Sequence, residues 1–330
     1  MYVDKLQIES LRGLTALDLP LAPITLIAGI TGIGKTTVLE AIGLALRPTD
    51  PGQWISTAMR RDSSLHIVEG LMALFALDPA GQPAPELKVG AVFNGGVQRK
   101  VRVSPGNFQG EAASLCLTIN VDGVDSSICF PSLETSARLS TIENSLTVHT
   151  LGPTPRRKTC VDNMRWLMRQ PPAYHACVQR ILQCVDPDLQ DIRLQWPRVQ
   201  LLQRDRWVDL AVVGEGTART LELALTVVRA ARGVLLIDGL EHSLHHTVTT
   251  KLVATLLSIA DTLAIQLIAT TDDLSVVDAA LDAVEEVSLD AVEEASPSTP
   301  LVLHYLMHGA VRTYGQAQLG RLRERGLHVC

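Results

Sequence analysis

The chain is poor in aromatic rings, which make up only 4% of its 330 residues. Its core should therefore be packed by Leu, Val, Ile and Ala. Few rings remain on which single-stranded bases could stack. It also lacks an excess of basic charge: the formal net charge is −6 and the pI is near 5.8. A generally basic nucleic-acid-binding surface is excluded, although a local patch is not. Cys116, Cys129, Cys160, Cys177, Cys184 and Cys330 include no C-x-x-C pair, which argues against a zinc ribbon and a thioredoxin-type motif. No stretch of 18 apolar residues occurs. A long uncharged run, LPLAPITLIAGITGIG, is broken by Pro and Gly, so no membrane span is expected. The start, MYVDKLQIES, carries acids and no apolar signal-peptide core, and a reducing cytoplasm is the expected compartment.

What is present suits a globular protein. Hydrophobic residues make 46% and charged residues 19%, and the length allows one large domain or two lobes. Residues 281–296, LDAVEEVSLDAVEEAS, hold six acids and no base, so without them the chain would be formally neutral. The two halves of this stretch match at seven of eight positions. Such a duplication reads as a solvated acidic helix or loop, or as a docking segment for a basic partner.

The first 50 residues read as strands, a loop and a helix, with ITLIA as a buried strand and TVLEAIGLAL as a helix. A second amphipathic helix is expected over 62–77. From 87 to 150 short alternating segments separated by Gly, Asn, Asp and Pro read as an antiparallel sheet. A helical pair fills roughly 159–185, and strands return near 191–213. Beyond 217 the pattern becomes helix, strand, helix, strand, helix, which argues for a parallel sheet covered by helices.

GITGIGKTT contains G-x-x-x-x-G-K-[ST] as Gly29, Gly34, Lys35 and Thr36, with Gly32 between them. A strand before it and a helix after it give the context that this motif needs. Small residues let backbone N–H groups curl around phosphates, and the helix start adds positive potential. Lys35 would reach the β and γ phosphates, Thr36 would ligate Mg²⁺, and Thr37 could bond the α-phosphate. VLLID then ends a strand in Asp238, a carboxylate that needs a cation or donors and suits the anchoring of that Mg²⁺. In VGEGTART, Gly214, Gly216 and Thr217 would offer N–H groups and a hydroxyl at a helix start, as an anion site or as a plain N-cap.

Together these pieces resemble the ABC-type ATPase heads of the SMC/RecF/OLD superfamily. More narrowly they resemble stand-alone AAA-type proteins (the AAA_15/AAA_21 group) common in bacterial defence loci. The resemblance implies an α/β P-loop NTPase head with a mixed or parallel core sheet, an antiparallel β insert and a small helical subdomain. It divides 1–330 into a phosphate-loop part (1–60), a β-rich insert (61–155), a helical subdomain (156–190) and a signature and metal-strand part (191–330). It also implies ATP and Mg²⁺ as cofactors and a homodimer across ATP. Gly214, Gly216 and Thr217 of one head would then face the γ-phosphate bound by Lys35 of the other. Arg12 matches the group's basic residue near the nucleotide. A separate effector such as a nuclease is an expected partner, and contact with nucleic acid is left open.

Two departures touch the γ-phosphate end. The group reads D-E-x-E where this chain reads Asp238-Gly239-Leu240-Glu241, and it has a switch His where this chain has Asp272. The missing Glu would polarise the attacking water, a loss of ~10²–10⁴-fold, although Glu241 or Asp272 could orient that water instead. An ionised Asp272 cannot donate to the γ-phosphate and would repel it. Slow hydrolysis and a silent ATP-sensing scaffold that gates an effector are both compatible with this pattern. His242, His245 and His246 crowd one segment, with His245 at the group's Leu-His position. Arg60 with Arg61, and Arg156, Arg157 and Lys158 with Arg198, Arg204 and Arg206, are basic groups that could be solvated or meet phosphate. Cys177 and Cys184 read as buried thiols.

Overall fold

The computed structural model describes the chain except residues 1, 60–66, 78–80, 106–114, 131–133, 136–145, 153–156, 243–245, 291–299, 309 and 325–330. The chain makes two bodies, Met1–Leu21 with Gly34–Leu146, and Ala22–Ile33 with Thr147–Cys330.

In the first body, β1 (Val3–Leu11) and β2 (Leu14–Pro20) form a hairpin. After β3 (Ile24–Gly29) come α1 (Lys35–Leu46), α2 (Pro51–Met59) and α3 (Ile67–Met72). Then follow β4 (Leu87–Phe93), β5 (Gln98–Pro105), β6 (Leu115–Val121), β7 (Val124–Phe130) and β8 (Glu134–Thr135). The first-body strands form one antiparallel seven-stranded sheet in the order β2-β1-β4-β5-β6-β7-β8. Thus the short alternating segments from residue 87 continue the sheet begun by β1 and β2. Their buried residues alternate, as in Leu115, Leu117, Ile119 and Val121 of β6, so one face packs into a core. Helix α1 is buried along most of its length and packs against β1, β4 and β5. Cys116 and Cys129 are register partners across β6 and β7 and form a disulfide, a bond that a reducing compartment does not favour.

The second body holds the strand before the phosphate loop. Its further elements are β9 (Val148–Leu151), α4 (Arg157–Leu167), α5 (Pro172–Leu182), β10 (Leu189–Gln195), β11 (Arg198–Gln203), β12 (Arg206–Asp209), α6 (Glu215–Arg229), β13 (Val234–Ile237), α7 (His246–Thr262), β14 (Gln266–Thr271), α8 (Leu274–Asp290), β15 (Leu301–Met307), β16 (Ala310–Gly315) and α9 (Gln316–Glu324). A six-stranded sheet runs β16-β15-β3-β14-β13-β9, parallel except at β16, and β10-β11-β12 form a small antiparallel sheet. Strands β3, β13 and β14 are buried on every residue, as a parallel sheet covered on both faces requires. Leu26, Leu235, Leu267, Leu223, Leu252 and Val276 belong to its continuous core.

Two expectations are revised. The segment at 148–151 does not extend the antiparallel sheet but pairs in parallel with β13. Where β9 lies beside β13, Gly233 is forced: a Cβ there would stand 2.3 Å from the Thr147 carbonyl oxygen. Gly233→Ala should therefore cost about 1–3 kcal/mol, read as a lower thermal midpoint. Of the helix expected over 62–77, residues 62–66 lie outside the described residues, and within the rest only α3 (Ile67–Met72) is helical. The first copy of the acidic repeat lies on α8, where Leu281, Ala283 and Val284 are buried while Asp282 and Glu285 pair with Arg323 of α9. Most of the second copy is outside the described residues. Among the described residues no helix is long and apolar enough to cross a membrane.

Candidate nucleotide site

Because β3, β14, β13 and β9 run parallel, their carboxyl ends share one edge of the sheet, the edge at which open α/β sheets bind ligands. Three segments leave that edge side by side: Gly29–Ile33 after β3, Asp238–Glu241 after β13, and Asp272 after β14.

Gly29 (φ 146°), Gly32 (φ 85°) and Gly34 (φ 110°) all take positive φ, which favours glycine, and so curl the chain backwards. Gly29 is also a close approach, since a Cβ would lie 2.7 Å from the Leu306 carbonyl oxygen of β15. At Gly32 a Cβ would meet nothing, so φ alone selects glycine there. The chain passes from one body to the other within this loop, between Ile33 and Gly34. Gly34 caps α1, and the Val38 amide makes the first bond of the helix to the Gly34 carbonyl. The amides up to Thr37 thus precede the helical ladder, the donor set that suits a phosphate. Lys35 and Thr37 are buried, and Thr36 is half-buried.

Asp238 is 7% exposed, and Thr270 Oγ1 of β14 donates to its Oδ1 at 2.8 Å. The same hydroxyl accepts the Gly239 amide at 2.8 Å. Gly239 turns the chain with φ 67°. A Cβ at Gly239 would fall 1.4 Å from His242 Nδ1, so His242 occupies the place of any side chain at 239. Glu241 Oε1 accepts the Asp272 amide at 2.9 Å, while its Oε2 is buried without a hydrogen-bond partner among the described residues. Thr31 Oγ1, within the phosphate loop, donates to Asp272 Oδ2 at 3.0 Å. One polar chain therefore runs from the phosphate loop through Asp272 to Glu241.

Gly214 caps α6, which starts at Glu215, so Gly216 and Thr217 lie in its first turn. The helix also carries Arg219, a residue the sequence reading missed. It is 2% exposed and spans the sheet edge: Nη1 donates to the Gly152 carbonyl, and Nη2 to the carbonyls of Asp238 at 3.2 Å and Gly239 at 3.4 Å. The only sequence signal was an arginine on the apolar side of an otherwise Leu- and Ala-rich helix. Arg219→Ala leaves those carbonyls short of a donor and should cost roughly 3 kcal/mol, read as a shift of the urea midpoint.

Arg12, in the other body, has φ 51° and makes an ion pair with Glu40 of α1 and a 3.0 Å bond to the Thr57 carbonyl. Its guanidinium therefore grips α1. Arg198 and Arg204 pair with Asp209 and Asp188, which leaves the small sheet a mixed-charge surface. Arg60, Arg61, Arg156 and His245 are outside the described residues, and no metal-binding group of His, Cys, Asp or Glu occurs among the described ones. Cys184 is buried, and burial pushes the half-buried Cys177 thiol up, away from reactive thiolate.

Residues 198–278 match the family described as "AAA domain, putative AbiEii toxin, Type IV TA system". A stretch of 44 residues is 52% identical to an OLD nuclease of Thermus scotoductus; it is 13% of this chain and spans only 8% of that protein's length. Structural likeness runs through the whole chain. An SMC head bound to the C-winged helix domain of ScpA is 15% identical with a TM-score of 0.60, covering 98% of this chain and 100% of that one. The SMC head domain from Thermotoga maritima is 14% identical with a TM-score of 0.53, covering 96% and 99%. An SMC head with an extended coiled coil, bound to the C-terminal domain of ScpA derived from Pyrococcus furiosus, is 12% identical with a TM-score of 0.59, covering 98% and 99%. With its phosphate loop after β3, the chain has the fold of the SMC head domains.

Proposed function

We propose that the chain binds Mg-ATP, pairs with a second copy across the nucleotide and hydrolyses it slowly, in DNA-linked or anti-phage defence. The observation that carries this reading is the convergence of Gly29–Ile33, Asp238–Glu241 and Asp272 at one carboxyl edge of a parallel sheet. In this reading Gly29, Gly32 and Gly34 shape the loop, and Lys35 and Thr37 hold phosphates. Thr36 and Asp238 would hold Mg²⁺, which neutralises charge on the phosphates when bound. Arg12 acts on the loop through α1. Gly214, Gly216 and Thr217 cap the γ-phosphate held by a second copy. Glu241 is the remaining candidate to take a proton from water. The defence setting is supported by the toxin-system family and by the OLD nuclease likeness.

A second reading is a non-hydrolysing ATP-sensing scaffold that holds or gates an effector such as a nuclease. The observation that favours it is His242 filling the space beside Gly239, where the group's catalytic Glu would stand. A single-turnover assay with Mg-ATP separates the two. Phosphate released within minutes supports the enzyme, and ATP retained intact supports the scaffold.

A further inference from the structure

We infer that Asp272 sets which nucleotide the site prefers: held on the phosphate loop by Thr31, its carboxylate disfavours a third phosphate, so a nucleoside diphosphate binds more tightly than the triphosphate. The inference rests on the nucleotide reading above and refines it. Thr31 is an exposed residue of the loop, and its hydroxyl donates to Asp272 Oδ2 at 3.0 Å, which places the carboxylate on the loop itself. Asp272 is fixed from its other side as well. Its amide donates to Glu241 Oε1 at 2.9 Å, and the next residue is tied down, since the Asp273 amide donates to Thr271 Oγ1 at 3.0 Å. Asp273 in turn accepts the Ser275 amide at 2.8 Å as α8 begins. Asp272 is therefore seated by its surroundings rather than swinging on a loose loop.

Acidic side chains gather at this edge: the Asp272 amide donates to Glu241, and Asp238 directly follows β13, where the Arg219 guanidinium binds the Asp238 and Gly239 carbonyls. Glu241 Oε2 is buried with no hydrogen-bond partner among the described residues. A diphosphate and a triphosphate differ by one anionic group at the far end. That group is what such a carboxylate opposes, and the opposition is stronger where water is excluded. A histidine in the same place could donate; an ionised aspartate cannot. The triphosphate must displace the Thr31–Asp272 bond or carry enough Mg²⁺ charge to offset it. The diphosphate need do neither.

Equilibrium titration with Mg-ADP and with Mg-AMP-PNP, a triphosphate analogue that is not cleaved, tests this on the full chain. Wild type should bind ADP at least about tenfold more tightly than AMP-PNP. Asp272→Asn keeps an oxygen for Thr31 and removes the charge. It should tighten AMP-PNP by about tenfold or more while ADP stays within about twofold. A thermal melt confirms that the variant is folded. Wild type that prefers AMP-PNP, or an Asp272→Asn variant that shifts both nucleotides equally or neither, overturns the inference and leaves nucleotide binding standing. Failure of wild type to bind either nucleotide overturns both.

Discussion

Lys35→Ala should weaken nucleotide binding by about 10²–10³-fold while leaving the fold intact. The lysine begins α1 and is 9% exposed, so its ammonium is largely shielded from water. A unit charge about 4 Å from a phosphate at an effective dielectric near 20 is worth roughly 4 kcal/mol, and part of this is offset by dehydrating the ammonium. Isothermal titration with Mg-ADP reads the effect, and a calorimetric melt confirms that the variant is folded. A variant that binds as well as wild type would remove the lysine from the site.

The second large effect concerns the turn at 239. Gly239→Glu by itself should be destabilised and gain little activity, although it restores the acid that the resemblance implies at this position. Two features oppose it. Gly239 has φ 67°, where a residue with a Cβ costs roughly 1–2 kcal/mol, and the new Cβ would overlap His242. His242 is exposed, and its amide closes the turn by donating to the Gly239 carbonyl at 3.2 Å, so its ring rather than its backbone is the obstacle. The double variant Gly239→Glu with His242→Ala removes that ring. Its single-turnover rate should exceed wild type by ~10²-fold or more, the usual worth of a placed general base. A folded double variant that binds ATP and turns over no faster would show that a carboxylate at 239 is not what the site lacks.

Much of this architecture could be read from residues because the signals are local. Glycines spaced around Lys35 define a loop that only positive φ can build, and the apolar runs at 234–237 and 266–271 can only be strands buried on both faces. Helix α6 announces itself by its Gly cap and its apolar stripe. What escaped reading depends on distance along the chain. Strand β9 has four residues and no pattern of its own; its partner β13 lies more than 80 residues later and decides its sheet. Arg219 looks like any helical arginine until the chain brings Gly152, Asp238 and Gly239 around it. The Cys116–Cys129 bond needs the β6–β7 register, which spacing alone does not fix. The replacement of a Glu at 239 was visible in the sequence. That His242 fills the space beside it was not, since it follows from one left-handed dihedral.

We propose that residues 29–37 wrap the phosphates and that Thr36 and Asp238 steady the cation. Crystals grown with Mn²⁺ and saturating ADP or AMP-PNP test it most directly, because Mn²⁺ gives an anomalous signal that marks the ion. One strong peak per chain is expected, beside the Thr36 hydroxyl and with the Asp238 carboxylate in its coordination sphere. Nucleotide bound elsewhere, or a manganese peak remote from both residues, would contradict it.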